Sequence, residues 1–142
     1  MPGIVSMFFF KGMYGFVSPE GEPDKSMFFH ASDFHRLNPG EPLPIVGELV
    51  DIVPESPLSA KPRAIEVRRQ LLPEKTLGVV VSYNPDKGWG FVEHGRNMKA
   101  FLHASEVRGW IPYPGARVSF YLGNKNGKPR ACWVQFGEPH VR

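Results

Sequence analysis

Short runs of alternating apolar and polar residues make up most of the chain, and no long stretch repeats apolar residues at the 3.6-residue period of a helix. Fifteen prolines and 15 glycines interrupt these runs. Such a pattern is typical of small β-barrels and β-sandwiches. It predicts five strands in each half of the chain, at 3–10, 14–18, 26–30, 47–53 and 63–69, and at 76–83, 88–94, 99–103, 117–122 and 131–136.

The two halves of the chain carry the same short motifs in the same order. The repeated runs are aromatic-Gly-Phe-Val at 14–17 and 89–92, Phe-x-His at 28–30 and 101–103, and Lys-Pro-Arg-Ala at 61–64 and 128–131. An ordered match of this kind indicates a duplicated domain. We therefore predict a first domain at 1–70, a short linker at 71–75 and a second domain at 76–142.

These motifs resemble those of cold-shock domains, which have a Gly-x-Val opening, a Lys-Gly-aromatic-Gly-Phe run, a Val-Phe-Val-His run, a Gly-x-x-Val run and a closing Pro-x-Ala. The positions that carry the resemblance are Gly3, 14–17, 27–30, 47–50, Pro62 and Ala64, and then Gly78, 87–92, 100–103, 115–118, Pro129 and Ala131. The resemblance implies an all-β protein of two tandem five-stranded OB-fold antiparallel β-barrels. It also implies binding of single-stranded RNA or DNA without catalysis.

The same resemblance implies which side chains contact nucleic acid. Its ring-bearing positions are Phe8, Tyr14, Phe16, Phe28 and His30 in the first domain, and Tyr83, Trp89, Phe91, Phe101 and His103 in the second. Alternate residues of a strand point to one face, and exposed rings on such a face stack on unpaired bases. The alternative is that these rings fill the core. It is disfavoured because the opposite faces carry apolar residues of their own, namely Val5, Val17, Phe29, Val79, Val92 and Leu102.

The positive charge of the chain is concentrated in its second half. Residues 1–70 hold seven Lys and Arg against nine Asp and Glu, a balance of −2, whereas residues 71–142 hold ten against five, a balance of +5. Phosphate attraction is therefore expected mainly in the second domain. The candidate phosphate contacts are Lys87, Lys99, Lys125, Lys128 and Arg130, and we expect Trp110 and Tyr113 to add rings to the stacking surface.

The acidic balance of the first domain supports a second hypothesis. In it the chain is an adaptor, whose first domain binds a protein partner while the second domain binds nucleic acid. The Phe8-Phe9-Phe10 run is available for such a partner, for core packing or for the interdomain face. For the principal hypothesis the expected role is an RNA chaperone or transcript regulator with low sequence specificity.

Other function classes find no support in the sequence. No nucleophile–base pair, carboxylate pair or phosphate-binding glycine loop is evident, so we expect neither catalysis nor a cofactor. We expect no metal site, because His30 and His103 lack cysteine or carboxylate partners at ligand spacing. The single Cys132 fits a reducing cytoplasm. No apolar run approaches the roughly 20 residues that span a bilayer.

Two kinds of turn are predicted. Ser32 and Ser105 follow the motif histidines and are expected to cap a short helical turn. Asn126-Gly127 is expected to form a hairpin turn with positive φ.

Overall fold

The protein forms two compact all-β units, Met1–Pro73 and Glu74–Arg142. The structure is a computed structural model that describes residues 1–56 and 62–137. Lys61 of the first Lys-Pro-Arg-Ala run and residues 138–142 of the predicted second domain therefore lie outside the described residues. In the described ranges, no helix has the length and apolar character needed to cross a membrane.

The strands follow the predicted order. The first unit contains β1 (Pro2–Phe9), β2 (Tyr14–Pro19), β3 (Met27–His30), β4 (Phe34–His35), β5 (Leu49–Pro54) and β6 (Ala64–Arg69). The second contains β7 (Lys75–Asn84), β8 (Trp89–His94), β9 (Met98–His103), β10 (Arg117–Lys125) and β11 (Lys128–Phe136). Every predicted strand is present, with its ends shifted by at most three residues, and among the described residues only the two-residue β4 is additional.

The second unit is a closed five-stranded barrel in the order β7-β8-β9-β11-β10, with β10 pairing back to β7. Neighbouring strands are antiparallel except β9 and β11, which run parallel where Phe101 lies opposite Arg130. One parallel pair is unavoidable, because an odd number of strands cannot alternate in direction all the way around a closed sheet. The all-β class and the OB-type barrel predicted from the sequence are confirmed.

The first unit has the same strand connections in a six-stranded sheet of order β3-β2-β1-β5-β6-β4. The sheet curls so that Phe28 of β3 forms a parallel bridge with Arg63, just before β6, and the Phe28 N–H donates to the carbonyl of Pro62 at 3.1 Å. The short β4 runs parallel to β6, with Phe34 opposite Val67. The first unit is thus nearly closed where the second is closed.

Each barrel has an apolar interior supplied by one face of its strands. The largest fully buried side chains are Val5, Val17, Phe29, Val50, Ile52 and Val67 in the first unit and Val80, Val92, Leu102, Val118 and Phe120 in the second. The expectation for Val79 was wrong: this side chain is 41% exposed, whereas its neighbour Val80 is 1% exposed. Burial of these side chains on folding stabilises each unit by roughly 25 cal/mol per Å² of apolar surface.

A β-bulge interrupts the first strand of each barrel. The pairing register of β1 with β2 shifts between Val5 and Met7, and that of β7 with β8 shifts between Val80 and Ser82. A bulge adds one residue to one strand, so the side chains beyond it exchange faces. This exchange decides which residues of β1 and β7 reach the exposed face.

Buried Arg69 anchors the long loop between β4 and β5 of the first unit. Its guanidinium donates to Glu48 Oε1 at 2.7 Å, to Glu41 Oε1 at 3.2 Å and to the carbonyl of Pro42 at 2.9 Å. Burial opposes the charged form, but the hydrogen bonds and negative charges of Glu48 and Glu41 raise the pKa of Arg69. The loop is therefore held by charge pairing across a buried arginine.

The corresponding loop of the second unit, between Val107 and β10, is held by aromatic packing. Trp110 packs against the core, and its ring centroid lies 5.1 Å from that of Phe136. Tyr113 lies 6.1 Å from the same ring. The loop is therefore anchored by charge pairing in the first unit and by aromatic packing in the second.

A second bulge places Trp133 of β11 in the left-handed region, with φ at 53°. This conformation is unfavourable for a bulky side chain. The Trp133 N–H donates to Glu106 Oε1 at 3.2 Å, and the Arg108 guanidinium lies 4.4 Å from the centre of the indole ring. These contacts hold the residue in its strained conformation.

Candidate nucleic-acid interface

Four rings form one exposed surface on β8 and β9, which we call the second aromatic face: Trp89, Phe91, Phe101 and His103. Trp89 lies opposite His103, and Phe91 opposite Phe101. The Trp89 and Phe101 rings are stacked at 6.2 Å and 27°, while Phe91 meets Phe101 edge-on at 6.0 Å and 77°. Trp89 is 39% and Phe91 36% exposed. Trp89 and Phe91 are thus open to solvent, whereas Phe101 and His103 are half-buried between their neighbours.

The first unit repeats this arrangement on β2 and β3, in the first aromatic face: Tyr14, Phe16, Phe28 and His30. Tyr14 lies opposite His30, and Phe16 opposite Phe28. Tyr14 stacks on Phe28 at 5.6 Å and 28°, and Phe16 meets Phe28 edge-on at 6.0 Å and 74°. The predicted ring positions on the second and third strands of both units therefore come together.

The predicted first-strand rings, Phe8 and Tyr83, do not lie on these faces. Phe8 is 8% exposed and packs against Phe29 in the core at 6.2 Å, and Tyr83 packs against the core of the second unit. The cause is the bulge, which moves both side chains to the inner face. In the first unit Phe9 takes the outer position instead, opposite Tyr14 and 5.1 Å from its ring.

Glycines between the outer rings let the first two strands of each barrel approach closely. A Cβ atom on Gly15 would overlap the carbonyl oxygen of Met7, and one on Gly90 would overlap that of Ser82. Any other residue would push the bulged strand away from its neighbour. The Gly between two aromatics is therefore a packing requirement of the bulge.

The histidine of each face also caps the turn that follows it. His30 Nδ1 accepts the Ser32 backbone N–H at 3.1 Å, and His103 Nδ1 accepts the Ser105 N–H at 3.1 Å. The caps of the 3₁₀ turns Ala31–Asp33 and Ala104–Glu106 are thus the histidines, and the expectation of serine caps was wrong. A neutral imidazole whose Nδ1 accepts carries its proton on Nε2. Each histidine can therefore offer an Nε2–H donor beside the rings.

The charge state of His103 is biased toward neutral. Burial of the ring and the positive charges of Arg130 and Lys125 hold the pKa of His103 below its usual value, against the opposing carboxylate of Glu106. The donor tautomer is therefore the prevailing form near neutral pH.

Basic side chains border the second aromatic face and line a half-open cavity of about 620 Å³, which we call the basic cavity. Lys99 from β9 and Lys125, Lys128 and Arg130 from the β10–β11 hairpin line it together with Phe91 and Phe101. Asn126 and Gly127 at the tip of the hairpin have φ of 54° and 81°, which confirms the predicted positive-φ turn. Lys87 lies apart from the cavity lining, exposed in the turn between β7 and β8.

An arginine lies against one ring of each face. Arg130 Cζ is 5.8 Å from the centre of Phe101, and Arg63 Cζ is 5.9 Å from that of Phe28. The Arg130 side chain is 9% exposed, whereas that of Arg63 is 45% exposed and pairs with Asp33 at 3.4 Å. Sequence analysis missed Arg63, although its place in the repeated Lys-Pro-Arg-Ala run marks it as the counterpart of Arg130.

Trp110 and Tyr113 were expected to extend the stacking surface. In the structure both rings contact Phe136, and Trp110 packs against the core. Their place in the fold is therefore the loop anchor. Among the described residues, no group of three or more His, Cys, Asp or Glu side chains is arranged to hold a metal ion.

Comparison with known proteins gives solved structures only, since no family model and no curated protein matches the chain. Cold-shock domains 4 to 6 of the Drosophila protein Unr match 99% of this chain and 64% of theirs, at 16% identity and a TM-score of 0.43. A multidomain protein with nucleic acid binding domains from Streptococcus pneumoniae matches 99% of this chain and 51% of its own, at 18% identity and a TM-score of 0.36.

The chain spans less than two thirds of the length of either solved chain. Because both scores are low, we assign the fold from strand order and register. By these criteria both units are OB-type barrels with the same strand connections. The first is nearly closed and the second closed, and each carries its aromatic face on its second and third strands.

Proposed function

We propose that the chain binds single-stranded nucleic acid by stacking unpaired bases on its two aromatic faces. The observation that carries the proposal is the second aromatic face, in which Trp89 and Phe91 remain 39% and 36% exposed although an apolar core is available. Exposed rings at this spacing offer flat surfaces that fit every base. The biological role that follows is an RNA chaperone or transcript regulator with low sequence specificity.

Each part of the interface has a distinct task in this proposal. The rings stack on bases, and each stacked base contributes roughly 1–3 kcal/mol to binding. The Nε2–H groups of His30 and His103 donate hydrogen bonds to base or phosphate oxygens. The cations beside the second face attract the phosphate backbone without regard to sequence. Because the two units belong to one chain, a strand held by one unit meets the other at high effective concentration.

Unpaired strands are expected to bind far more tightly than duplex, because base pairing and stacking in a duplex hide the surfaces that the rings contact. The test is a polarisation titration of the full chain with a labelled single-stranded RNA, the same sequence as DNA, and the corresponding duplexes. Duplex affinity equal to or above single-strand affinity would refute stacking as the binding mode.

The second unit is expected to bind more tightly than the first, because its charge balance is positive and its face carries Trp89 where the first carries Tyr14. Titrations of the two isolated units at several salt concentrations measure this difference. For single strands, the logarithm of affinity should fall with the logarithm of salt concentration with a slope of about −0.7 per phosphate contacted. A first unit as tight as the full chain would contradict the ranking.

A second candidate function is an adaptor in which the first unit binds a protein. It is favoured by the acidic balance of residues 1–70 and by exposed apolar side chains, among them Phe10 at 40% and Ile65 at 47%. Under this hypothesis the isolated first unit binds no strand, and Tyr14→Ala leaves the strand affinity of the full chain unchanged. A loss of strand affinity in that variant would favour stacking in both units.

A further inference from the structure

The β10–β11 hairpin places two lysines directly opposite one another at its tip. Lys125 pairs with Lys128 across the Asn126-Gly127 turn, and both line the basic cavity. Like charges directly opposite in an antiparallel pair destabilise it. Departures from local rules are expected where function requires them. The pair therefore points to a negatively charged ligand that relieves the repulsion.

A buried arginine beside the same cavity is incompletely paired. Arg130 is 7% exposed, and its Nε has no hydrogen-bond partner among the described residues. Its NH2 group lies 3.6 Å from Glu106 Oε2 and 3.4 Å from Ser105 Oγ, both long contacts. These long contacts leave part of the Arg130 charge uncompensated, and an anion in the adjoining cavity would be stabilised by it.

The cavity has the size and lining of a nucleotide site. Its volume of about 620 Å³ lies within the range of roughly 300–1,000 Å³ that small-molecule sites occupy. Phe91 and Phe101 supply ring surfaces for a base, and four cationic side chains supply charge for a phosphate. No acidic residue is found among the described residues that line it.

We propose that the basic cavity binds the phosphomonoester of a nucleotide, either at the end of a strand or in a free nucleoside monophosphate, with its base against Phe91 and Phe101. A phosphate monoester has a second pKa of about 6 and carries nearly two negative charges at neutral pH, whereas a phosphodiester within a strand carries one. A cluster of four cations therefore favours the monoester. This inference rests on the proposed function, because the same rings serve both.

The test compares strands that differ only in their ends. Full-length protein is titrated with one internally labelled strand bearing a 5′-phosphate, a 3′-phosphate or no terminal phosphate, and uridine monophosphate and uridine are used as competitors. We expect one phosphorylated strand to bind about fivefold more tightly than the unphosphorylated strand, or the monophosphate to compete better than the nucleoside. Tighter binding of a phosphorylated strand identifies a strand end as the source of the phosphate. Better competition by uridine monophosphate than by uridine identifies a free nucleotide as the source.

Variants tie this preference to the cavity. The double variant Lys125→Gln with Lys128→Gln should lose the preference for phosphate, and Lys99→Gln, on a different strand, should weaken it. A control with two charges removed outside the lining, Lys75→Gln with Arg96→Gln, should retain it. Calorimetric melts identify any variant that fails to fold.

The two proposals fail in different ways. If the unphosphorylated strand binds and neither terminal phosphates nor the monophosphate gives any advantage, the cavity inference is wrong and the proposed function stands. If the preference survives in the Lys125 and Lys128 double variant, the phosphate is bound elsewhere and the inference is also wrong. If no strand binds at all, the proposed function itself fails.

Discussion

The two units share an aromatic face but differ in nearly everything that surrounds it. In the first, Arg63 beside Phe28 is exposed and paired with Asp33, and the loop before β5 is anchored by charges on Arg69. In the second, Arg130 is buried beside a lysine-lined cavity, and the corresponding loop is anchored by Trp110. The rings follow from strand register, which the duplication preserves, whereas the partners of the two matched arginines differ between the units.

The largest expected effect tests the ionic anchor of the first unit. Arg69→Ala should destabilise that unit by about 3–5 kcal/mol, because Glu48 is left without its buried partner. Phe136→Ala in the second unit should cost only about 1 kcal/mol, since an aromatic contact of a 58% exposed ring is lost. Denaturant unfolding of each variant measures both values, with Arg68→Ala as the exposed control. Equal costs for Arg69→Ala and Arg68→Ala would contradict the anchoring role.

Next in size is the contribution of the matched rings Trp89 and Tyr14. Trp89→Ala should weaken strand binding by roughly 1–3 kcal/mol, and Tyr14→Ala should weaken it by less, because the indole has the larger stacking surface. Both variants should keep the fold, since each ring lies outside its barrel. Polarisation titrations measure strand affinity, and thermal melts measure whether the fold is kept. Phe136→Ala, which removes a ring outside the aromatic faces, is the control. A collapsed melt for Trp89→Ala would make it a core residue.

The lysine pair at the tip of the β10–β11 hairpin should carry a smaller stability cost. Lys128→Gln is expected to raise the free energy of unfolding by about 0.2–1 kcal/mol, because it relieves repulsion from Lys125. The same substitution should weaken strand binding. Calorimetry at low and high salt checks the cause, since salt should reduce the stabilisation. Destabilisation by Lys128→Gln would rule out the repulsion.

The smallest effect concerns the titration of His103. Because its pKa is lowered on folding, the unfolded state binds the proton more tightly, and this group favours folding above the ordinary histidine pKa of about 6.5. That contribution is lost as pH falls from about 6.5 through the pKa of the folded protein. Lys125→Gln should move the pKa upward, as followed by ring-proton NMR. An unchanged pKa would mean that burial and Arg130 lower it without a contribution from Lys125.

The strand positions could be predicted because apolar and polar residues alternate along them. The ring pairs of β2–β3 and β8–β9 could be predicted because the duplicated motifs mark the same positions in both halves. The failures at Phe8 and Tyr83 have one cause, the bulge that precedes each residue. A bulge changes which face a side chain occupies without changing the apolar pattern that surrounds it. Phe9 therefore lies on the outer face, a position that simple alternation from Val5 does not predict.

The remaining features depend on residues far apart in the chain. Arg69 meets Glu48 across 21 residues, and nothing in the local pattern of either marks a buried ion pair. The histidine caps were missed for a different reason. Serine is a preferred N-cap residue, and nothing in the local sequence shows that His103 Nδ1 accepts the Ser105 N–H instead. The lysines of the basic cavity are recognisable in the sequence as cations, but nothing local shows that β9 and the β10–β11 hairpin bring them together.

The uneven distribution of tryptophan confines the intrinsic tryptophan fluorescence of the protein to one unit. Trp89, Trp110 and Trp133 all belong to the second unit, and they lie respectively on the ring face, at the loop anchor and under the Arg108 guanidinium. Excitation at the red edge of protein absorbance therefore reports on the second unit alone. A strand that quenches Trp89 occupies that unit, while binding that leaves the emission unchanged occurs on the first. Unlabelled, uncut protein can thus assign each binding step to its barrel.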